Sequence, residues 1–137
     1  MTLDVSVAVG PTSWLESEAR WRVPIEVTFA NNGSKVFELD KATACDGGRI
    51  RNNVFHVSVD GVEVGYQGIM AKRAHPGKDG FHRIQPGETH RQSVDIGDVY
   101  ALPEDGGEMT VRFDHFNHFS DDSVQLRSAD VAGTLAR

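Results

Sequence analysis

The chain has 137 residues, of which 39% are hydrophobic and 25% are charged, and this composition predicts one globular domain over residues 1–137. Its formal net charge of −6 opposes a nucleic-acid-binding role, because backbone phosphates require a clustered positive surface. A single cysteine, Cys45, excludes an internal disulfide and any zinc site built from cysteines.

The sequence has no apolar run near the roughly 18 residues that a membrane-spanning helix requires, so we expect no membrane partner. The N-terminal stretch MTLDVSVAVG has neither a basic segment nor a long apolar core, and it does not match a secretory signal. As written, the sequence predicts a cytoplasmic location. A secreted or periplasmic location would fit a mature or excised fragment.

Near its start the chain has a hydrophobic period of two, which is typical of half-buried β-strands. Residues 3–9 alternate apolar and polar side chains, and residues 20–30 repeat the pattern. The apolar face of the second run consists of Trp21, Val23, Ile25, Val27 and Phe29. Pro24 cannot donate a backbone hydrogen bond and therefore predicts an edge position or a bulge. Asn31-Asn32-Gly33 predicts a turn before a short strand.

The middle of the chain carries the clearest hairpin signal. A polar connection over residues 40–53 leads into an alternating run over residues 54–59. One face of that run consists of Phe55, Val57 and Val59. Asp60-Gly61 follows, and this dipeptide after an apolar alternation is typical of a two-residue hairpin turn. Residues 62–66 therefore form the predicted returning strand.

Weaker strand patterns follow the hairpin. Residues 68–74, 81–84 and 89–96 each predict a strand, and the Pro86-Gly87 dipeptide predicts a turn between the last two. Tyr100 lies in the next connection. A tyrosine in such a connection can bury its ring and return its hydroxyl to the backbone, so we expect Tyr100 to be structural.

The C-terminal run contains one change of phase. Val124 and Leu126 are in phase with each other, whereas Val131 is out of phase with both, which predicts a bulge between them. In total the sequence predicts about eight or nine short strands joined by Gly, Pro and Asn turns. The predicted fold class is all-β, an immunoglobulin-like antiparallel β-sandwich, with a barrel as the alternative.

A set of residues between Phe55 and Phe113 follows the pattern of a known domain family. The pattern is a Phe-containing strand, a turn, an aromatic-x-Gly step, a Lys-Arg strand, Pro-Gly-Glu, Val-Asp and a tyrosine before the last strand. The matching residues are Phe55, Gly61, Tyr66, Gly68, Lys72, Arg73, Pro86, Gly87, Glu88, Val94, Asp95, Tyr100, Gly107, Val111 and Phe113. This stretch resembles the N-terminal β-sandwich domain of bacterial deuterolysin-type (aspzincin) metallopeptidases.

The resemblance implies an immunoglobulin-like fold and an accessory role beside a peptidase. Met109 stands where such domains often place an aromatic residue, and methionine can fill the same core space. The sequence contains neither HExxH nor a later Gly-Thr-x-x-Asp stretch, so the resemblance carries no catalytic residue over to this chain.

Residues 114–122 contain the most site-like string, because His115 and His118, with Asp114, Asp121 and Asp122, are of the types that bind metals. Residues three apart in a strand face opposite sides, so only a turn after Phe116 would bring the two histidines together. We therefore expect no metal and no cofactor. The sequence also lacks a nucleophile motif and a phosphate-binding loop, and it predicts no enzyme.

The chain has one locally positive stretch in an otherwise acidic sequence. Its basic residues are Lys72, Arg73, Lys78 and Arg83, and they are the predicted partner-binding residues. The competing interpretation is a solvated strand edge that charges protect from unwanted pairing.

These observations predict a non-catalytic protein-binding module whose partner is a protein. The resemblance implies that it is an accessory or regulatory domain of a peptidase system, with a protease as the partner in one version. One alternative is a proteinase inhibitor or pro-domain-like chaperone, in which a loop over residues 75–81 obstructs a protease cleft. Another alternative is a carbohydrate-binding module, which needs exposed aromatic side chains. Trp14 and Trp21 are the only tryptophans, and Trp21 is in phase with the predicted core.

Overall fold

The structure, a computed structural model, describes residues 3–70, 78–118 and 122–137. The regular structure of these ranges is almost entirely β, which confirms the predicted all-β, sandwich-like fold class. The strands are β1 (Asp4–Val9), β2 (Ser13–Leu15), β3 (Arg20–Arg22), β4 (Pro24–Ala30), β5 (Phe37–Asp40), β6 (Phe55–Val59), β7 (Val62–Glu63), β8 (Phe81–Ile84), β9 (Thr89–Asp95), β10 (Gly107–His118), β11 (Ser123–Arg127) and β12 (Val131–Leu135). Short 3-10 turns occupy Asp46–Gly48, Lys78–Gly80 and Ile96–Asp98.

The strands form two antiparallel sheets and two short ribbons. The first sheet has the order β1-β4-β9, and the second has the order β11-β10-β6-β7, with β12 also paired to β10. The ribbons are β2-β3 and β5-β8. Asn117 of β10 holds the second ribbon in place, because its side chain accepts from the Asp40 N–H at 2.7 Å and donates to the Glu38 carbonyl at 3.0 Å.

The described ranges contain twelve strands, more than the predicted eight or nine, for local reasons. The run over residues 20–30 is split at Val23, and the C-terminal run is split into β11 and β12. A strand that the sequence pattern does not predict, β2, occupies Ser13–Leu15. The strand predicted over residues 68–74 is not seen at Gly68–Met70, and its remaining residues lie outside the described ranges.

The core lies between the inner faces of the two sheets, and aromatic side chains join them. Phe29 of the first sheet meets Phe113 of the second edge to face, with ring centroids 5.4 Å apart. Phe55 packs on the other side of Phe113 in the same manner at 5.7 Å. The predicted in-phase residues are all buried: Trp21, Val23, Ile25, Val27, Phe29, Phe55, Val57 and Val59. Val111 and Phe113, which belong to the family pattern, are buried as well. Met109 is also buried, as its core-filling prediction requires.

Pro24 is the first residue of a central strand, so the predicted edge position is wrong. The chain is interrupted just before it, and a distant carboxylate satisfies the interruption. Asp95 accepts from the N–H of Val23 at 2.9 Å and from the N–H of Gly97 at 3.0 Å, and Arg20 donates to its second oxygen at 2.9 Å. Because the ladder of β4 begins at this residue, the missing proline N–H breaks no strand bond.

Two local predictions are confirmed by the backbone. Asp60 and Gly61 have φ angles of 50° and 80°, as the two central residues of a type I′ hairpin turn require. The C-terminal bulge is also present, because Asp114 pairs with Arg127 whereas Val111 pairs with Val131. Three steps along β10 thus face four steps along its partner, which inserts one extra residue.

Tyr100 is buried, and its hydroxyl is bonded as predicted. The hydroxyl accepts from the Phe55 N–H at 3.0 Å and donates to the Asn53 side-chain oxygen at 2.8 Å. Its ring stands edge to face with that of Phe55 at 6.3 Å. Tyr100 therefore ties the connection between β9 and β10 to the start of β6.

We predict that Tyr100→Phe lowers the free energy of unfolding by about 1 kcal/mol, because it leaves the buried Phe55 N–H without its acceptor. Urea unfolding followed by fluorescence measures the difference. Tyr66→Phe is the matched control, since the Tyr66 hydroxyl bonds the Ile69 carbonyl at an exposed position. Equal losses in the two variants would contradict a scaffold role specific to Tyr100.

Candidate functional site

Two of the four predicted basic residues lie in the described part of the chain, and the other two do not. Lys72 and Arg73 lie outside the described residues, as do residues 75–77 of the predicted inhibitory loop. Lys78 begins a 3-10 turn, and Arg83 lies on β8 with 65% of its side chain exposed. The Arg83 guanidinium is 3.9 Å from the Glu38 carboxylate on the paired strand, a surface contact of small energy. A common surface for these four residues stays a prediction.

A groove at the edge of the second sheet was not anticipated from the sequence. It has a volume of about 560 Å³ and lies between the β6–β7 hairpin and residues 101–106. Apolar side chains on both sides line it: Val62, Val64, Ala101 and Pro103. Val62 is 68% exposed, which is unusual for a β-branched residue of a strand and leaves an apolar contact area open to solvent.

The strand that borders this groove has backbone groups that no described residue pairs with. In the hairpin Val62 pairs with Val59, and the Val64 N–H donates to the Val57 carbonyl at 2.9 Å. Hydrogen-bonded and non-bonded pairs alternate in antiparallel ladders, so the N–H and C=O of Glu63 point away from β6. Neither group has a backbone partner among the described residues.

A proline explains why the opposite wall of the groove does not cover this edge. Residues 101–106 form that wall. Just beyond the end of β7, the Ala101 N–H donates to the Gly65 carbonyl at 2.9 Å, so the two segments are paired at that point. Pro103 has no N–H with which to continue this pairing. Its carbonyl instead accepts from the Trp21 indole N–H at 2.8 Å, which holds the connection against the core. The unpaired edge at Glu63 follows from this arrangement.

The charged side chains lining the groove are all acidic: Asp60, Glu63 and Asp105. Asp60 has a structural partner, since its carboxylate accepts from the Glu108 N–H at 2.9 Å. The Glu63 carboxylate is 3.6 Å from His56 Nδ1 and is largely exposed. Asp105 makes no hydrogen bond or ion pair with any described side chain. The groove therefore presents an apolar floor beside negative charge.

A second cavity, of about 190 Å³, contains one histidine from the β5-β8 ribbon and one from the first sheet. His82 of β8 and His90 of β9 stack with ring centroids 4.3 Å apart. His82 Nε2 is 2.8 Å from the Asp46 carboxylate, whereas the enclosed Nε2 of His90 has no hydrogen-bond partner among the described residues. Burial, together with the neighbouring His82, lowers the pKa of His90. The surroundings of His90 therefore favour its neutral form.

The metal candidates of the C-terminal region are arranged along one strand. His115 and His118 both belong to β10, three residues apart, and the strand directs them to opposite faces. Asp121 lies outside the described residues. Within residues 3–70, 78–118 and 122–137, no cluster of three or more His, Cys, Asp or Glu side chains is placed to bind an ion.

Cys45 is buried beside the 3-10 turn Asp46–Gly48. Burial raises the pKa of its thiol to about 12. Since the thiolate is the reactive form, the thiol is protonated and unreactive at neutral pH.

Neither tryptophan provides the open aromatic face that the carbohydrate alternative needs. Trp21 is buried, and Trp14 meets it edge to face with centroids 5.4 Å apart. The Arg137 guanidinium lies 4.0 Å from the centroid of the Trp14 ring and covers one of its faces.

Comparison with protein-family models and with curated proteins gives no match to this chain. The resemblance to the deuterolysin-type N-terminal domain therefore stays a prediction. None of the helical segments in the described part of the chain has the length and apolarity of a membrane-crossing helix.

We predict that acidification destabilises the fold through His90. Its pKa is lowered from the ordinary value of 6.5, so the unfolded chain takes up this proton at a higher pH than the folded chain does. The stabilising contribution is complete above about pH 6.5 and is lost as the pH falls through the folded-state pKa. Urea unfolding at about pH 7.5 and about pH 5 measures the change.

The informative quantity is the pH-dependent part of the unfolding free energy. His90→Gln should reduce the loss between the two pH values, because it removes the imidazole whose protonation the fold disfavours. An identical pH dependence of the wild type and His90→Gln would contradict the assignment.

Proposed function

We propose that this chain is a non-catalytic protein-binding module that receives an extended segment of another protein at the edge of β7. The observation that carries the proposal is the unpaired backbone of Glu63 beside the exposed side chain of Val62. In strand addition, backbone hydrogen bonds supply affinity and contacts with alternate side chains supply specificity. The Glu63 backbone groups and the Val62 side chain lie on the same side of the groove.

A protected edge is the simpler interpretation of this geometry. Short edge strands and charged side chains are common means of preventing unwanted sheet pairing, and β7 has only two residues, one of them Glu63. Protection alone does not account for Val62, which would be a liability at an exposed edge. The apolar groove wall provided by Val64, Ala101 and Pro103 also favours an occupant.

The side chain types best suited to catalysis are buried or engaged in structural bonds at Cys45, Tyr100 and His82, which favours binding over catalysis as the function. Cys45 is buried with a pKa of about 12, and the Tyr100 hydroxyl is engaged in holding β6. His82 is paired with Asp46. The resemblance of the stretch from Phe55 to Phe113 to a peptidase-associated domain supports a peptidase as the partner and an accessory or regulatory role.

A photo-crosslinking side chain placed at Val62 tests the proposed function directly. We expect it to join the module to a discrete partner in native extract, whereas the same group at Phe116, 47% exposed at the far end of β10, should not. Glu63→Pro should reduce the crosslink, because it removes the free N–H, and Glu63→Ala should retain it. Labelling at both positions, or a crosslink insensitive to Glu63→Pro, would contradict strand addition at this edge.

The predicted basic residues give a second, independent prediction. If Lys72 and Arg73 face an acidic part of the same partner, reversing both to Glu should slow association while leaving the melting temperature unchanged. The effect should shrink above about 0.5 M salt, where charges are screened over a few ångströms. Surface plasmon resonance with the crosslinked partner measures the association rate and its dependence on salt. An unchanged rate and salt dependence would identify these residues as a protected edge.

A further inference from the structure

The groove beside β7 has a charge and a periodicity that together describe its occupant. We infer that the segment it receives is an extended strand in which apolar residues alternate with lysine or arginine. This inference rests on the proposed function and adds the chemical class of the partner segment.

The alternation follows from the two faces of β7. Val62 pairs with the buried Val59 and so lies on the inner face of the sheet, whereas Glu63 pairs with Ser58 and lies on the outer face. A strand added beside β7 places its own residues alternately on the same two faces. Those on the inner side meet Val62 and the apolar groove wall, and those on the outer side meet the Glu63 carboxylate.

The charge follows from the carboxylates that line the groove. No lysine or arginine is among the described lining residues. Asp60 is held by the Glu108 N–H, but Glu63 has only His56 nearby, and Asp105 has no side-chain partner in the described part of the chain. Opposite charges on directly opposed strand residues stabilise a pair, and like charges destabilise it. A cationic side chain opposite Glu63 is therefore favoured, and an anionic one is disfavoured.

Three capped heptapeptides provide the test. The first alternates Val and Lys, the second alternates Val and Glu, and the third has the composition of the first with its Val and Lys residues grouped in separate blocks. Each is titrated to millimolar concentration into the ¹⁵N-labelled full chain, and chemical shifts are followed by NMR. We expect the first peptide to shift the amide signals of Val62, Glu63 and Ala101, and the other two to shift them much less.

Charge variants of the chain locate the effect. Glu63→Gln and Asp105→Asn should each weaken binding of the Val-Lys peptide by about two- to fivefold, the range of an exposed charge pair. Glu26→Gln is the matched control, because Glu26 is an exposed residue of β4 on the outer face of the opposite sheet. Its affinity for the peptide should equal that of the wild type, and added salt should weaken binding to both.

The outcomes separate this inference from the proposed function. If the Val-Glu or block peptide binds as tightly as the Val-Lys peptide at these amides, the inference is overturned and strand addition stands. If no peptide shifts these amides but a partner still crosslinks at Val62 in a Glu63→Pro-sensitive manner, the inference again fails alone. If the peptides and the crosslink are both silent, both proposals fail. Shifts that depend on chain concentration without peptide would assign the groove to a second copy and overturn the inference.

Discussion

The edge-to-face contact of Phe29 with Phe113 is the constraint on which the rest of the structure depends, because it joins the two sheets. Every strand that contributes to the core has to present its apolar side chains to this contact with a period of two. The interruption before Pro24 lies at the end of β4 opposite to Phe29. The extra residue between β11 and β12 lies opposite the segment of β10 between Val111 and Asp114, where the Ser128 hydroxyl accepts from the Phe113 N–H at 2.9 Å. The pairing of Phe113 with Phe55 of β6 on the other side is left intact.

Completing the core also leaves part of the second sheet accessible. The Trp21 indole is buried, so its N–H requires an acceptor, and the Pro103 carbonyl supplies one. That bond holds the connection before β10 against the core and away from β7. The unpaired backbone at Glu63 and the exposed Val62 are thus consequences of how a buried tryptophan is satisfied. The same short connection thus completes the core and forms one wall of the groove.

Local properties of the chain predicted most of the fold. The period of two and the Asp60-Gly61 turn are read within a few residues, and both are confirmed. The error at Pro24 arose because Asp95, which satisfies the strand interruption, is remote in sequence. The sites were missed for the same reason, because they too depend on residues that are remote in sequence. The stack of His82 on His90 joins strands that are not neighbours in one sheet. The groove depends on the bond between the Trp21 indole N–H and the distant Pro103 carbonyl. Only the acidic, proline-containing connection before β10 offered a local signal for the groove.

The position of Cys45 has a practical consequence for work with this protein. Its side chain is 1% exposed and its thiol has a pKa of about 12, so alkylating reagents at neutral pH will meet neither an accessible sulfur nor a thiolate. It is also the only cysteine of the chain. A cysteine introduced at a chosen surface position would therefore accept a spin label or a fluorophore selectively in the native protein, without prior removal of the natural one.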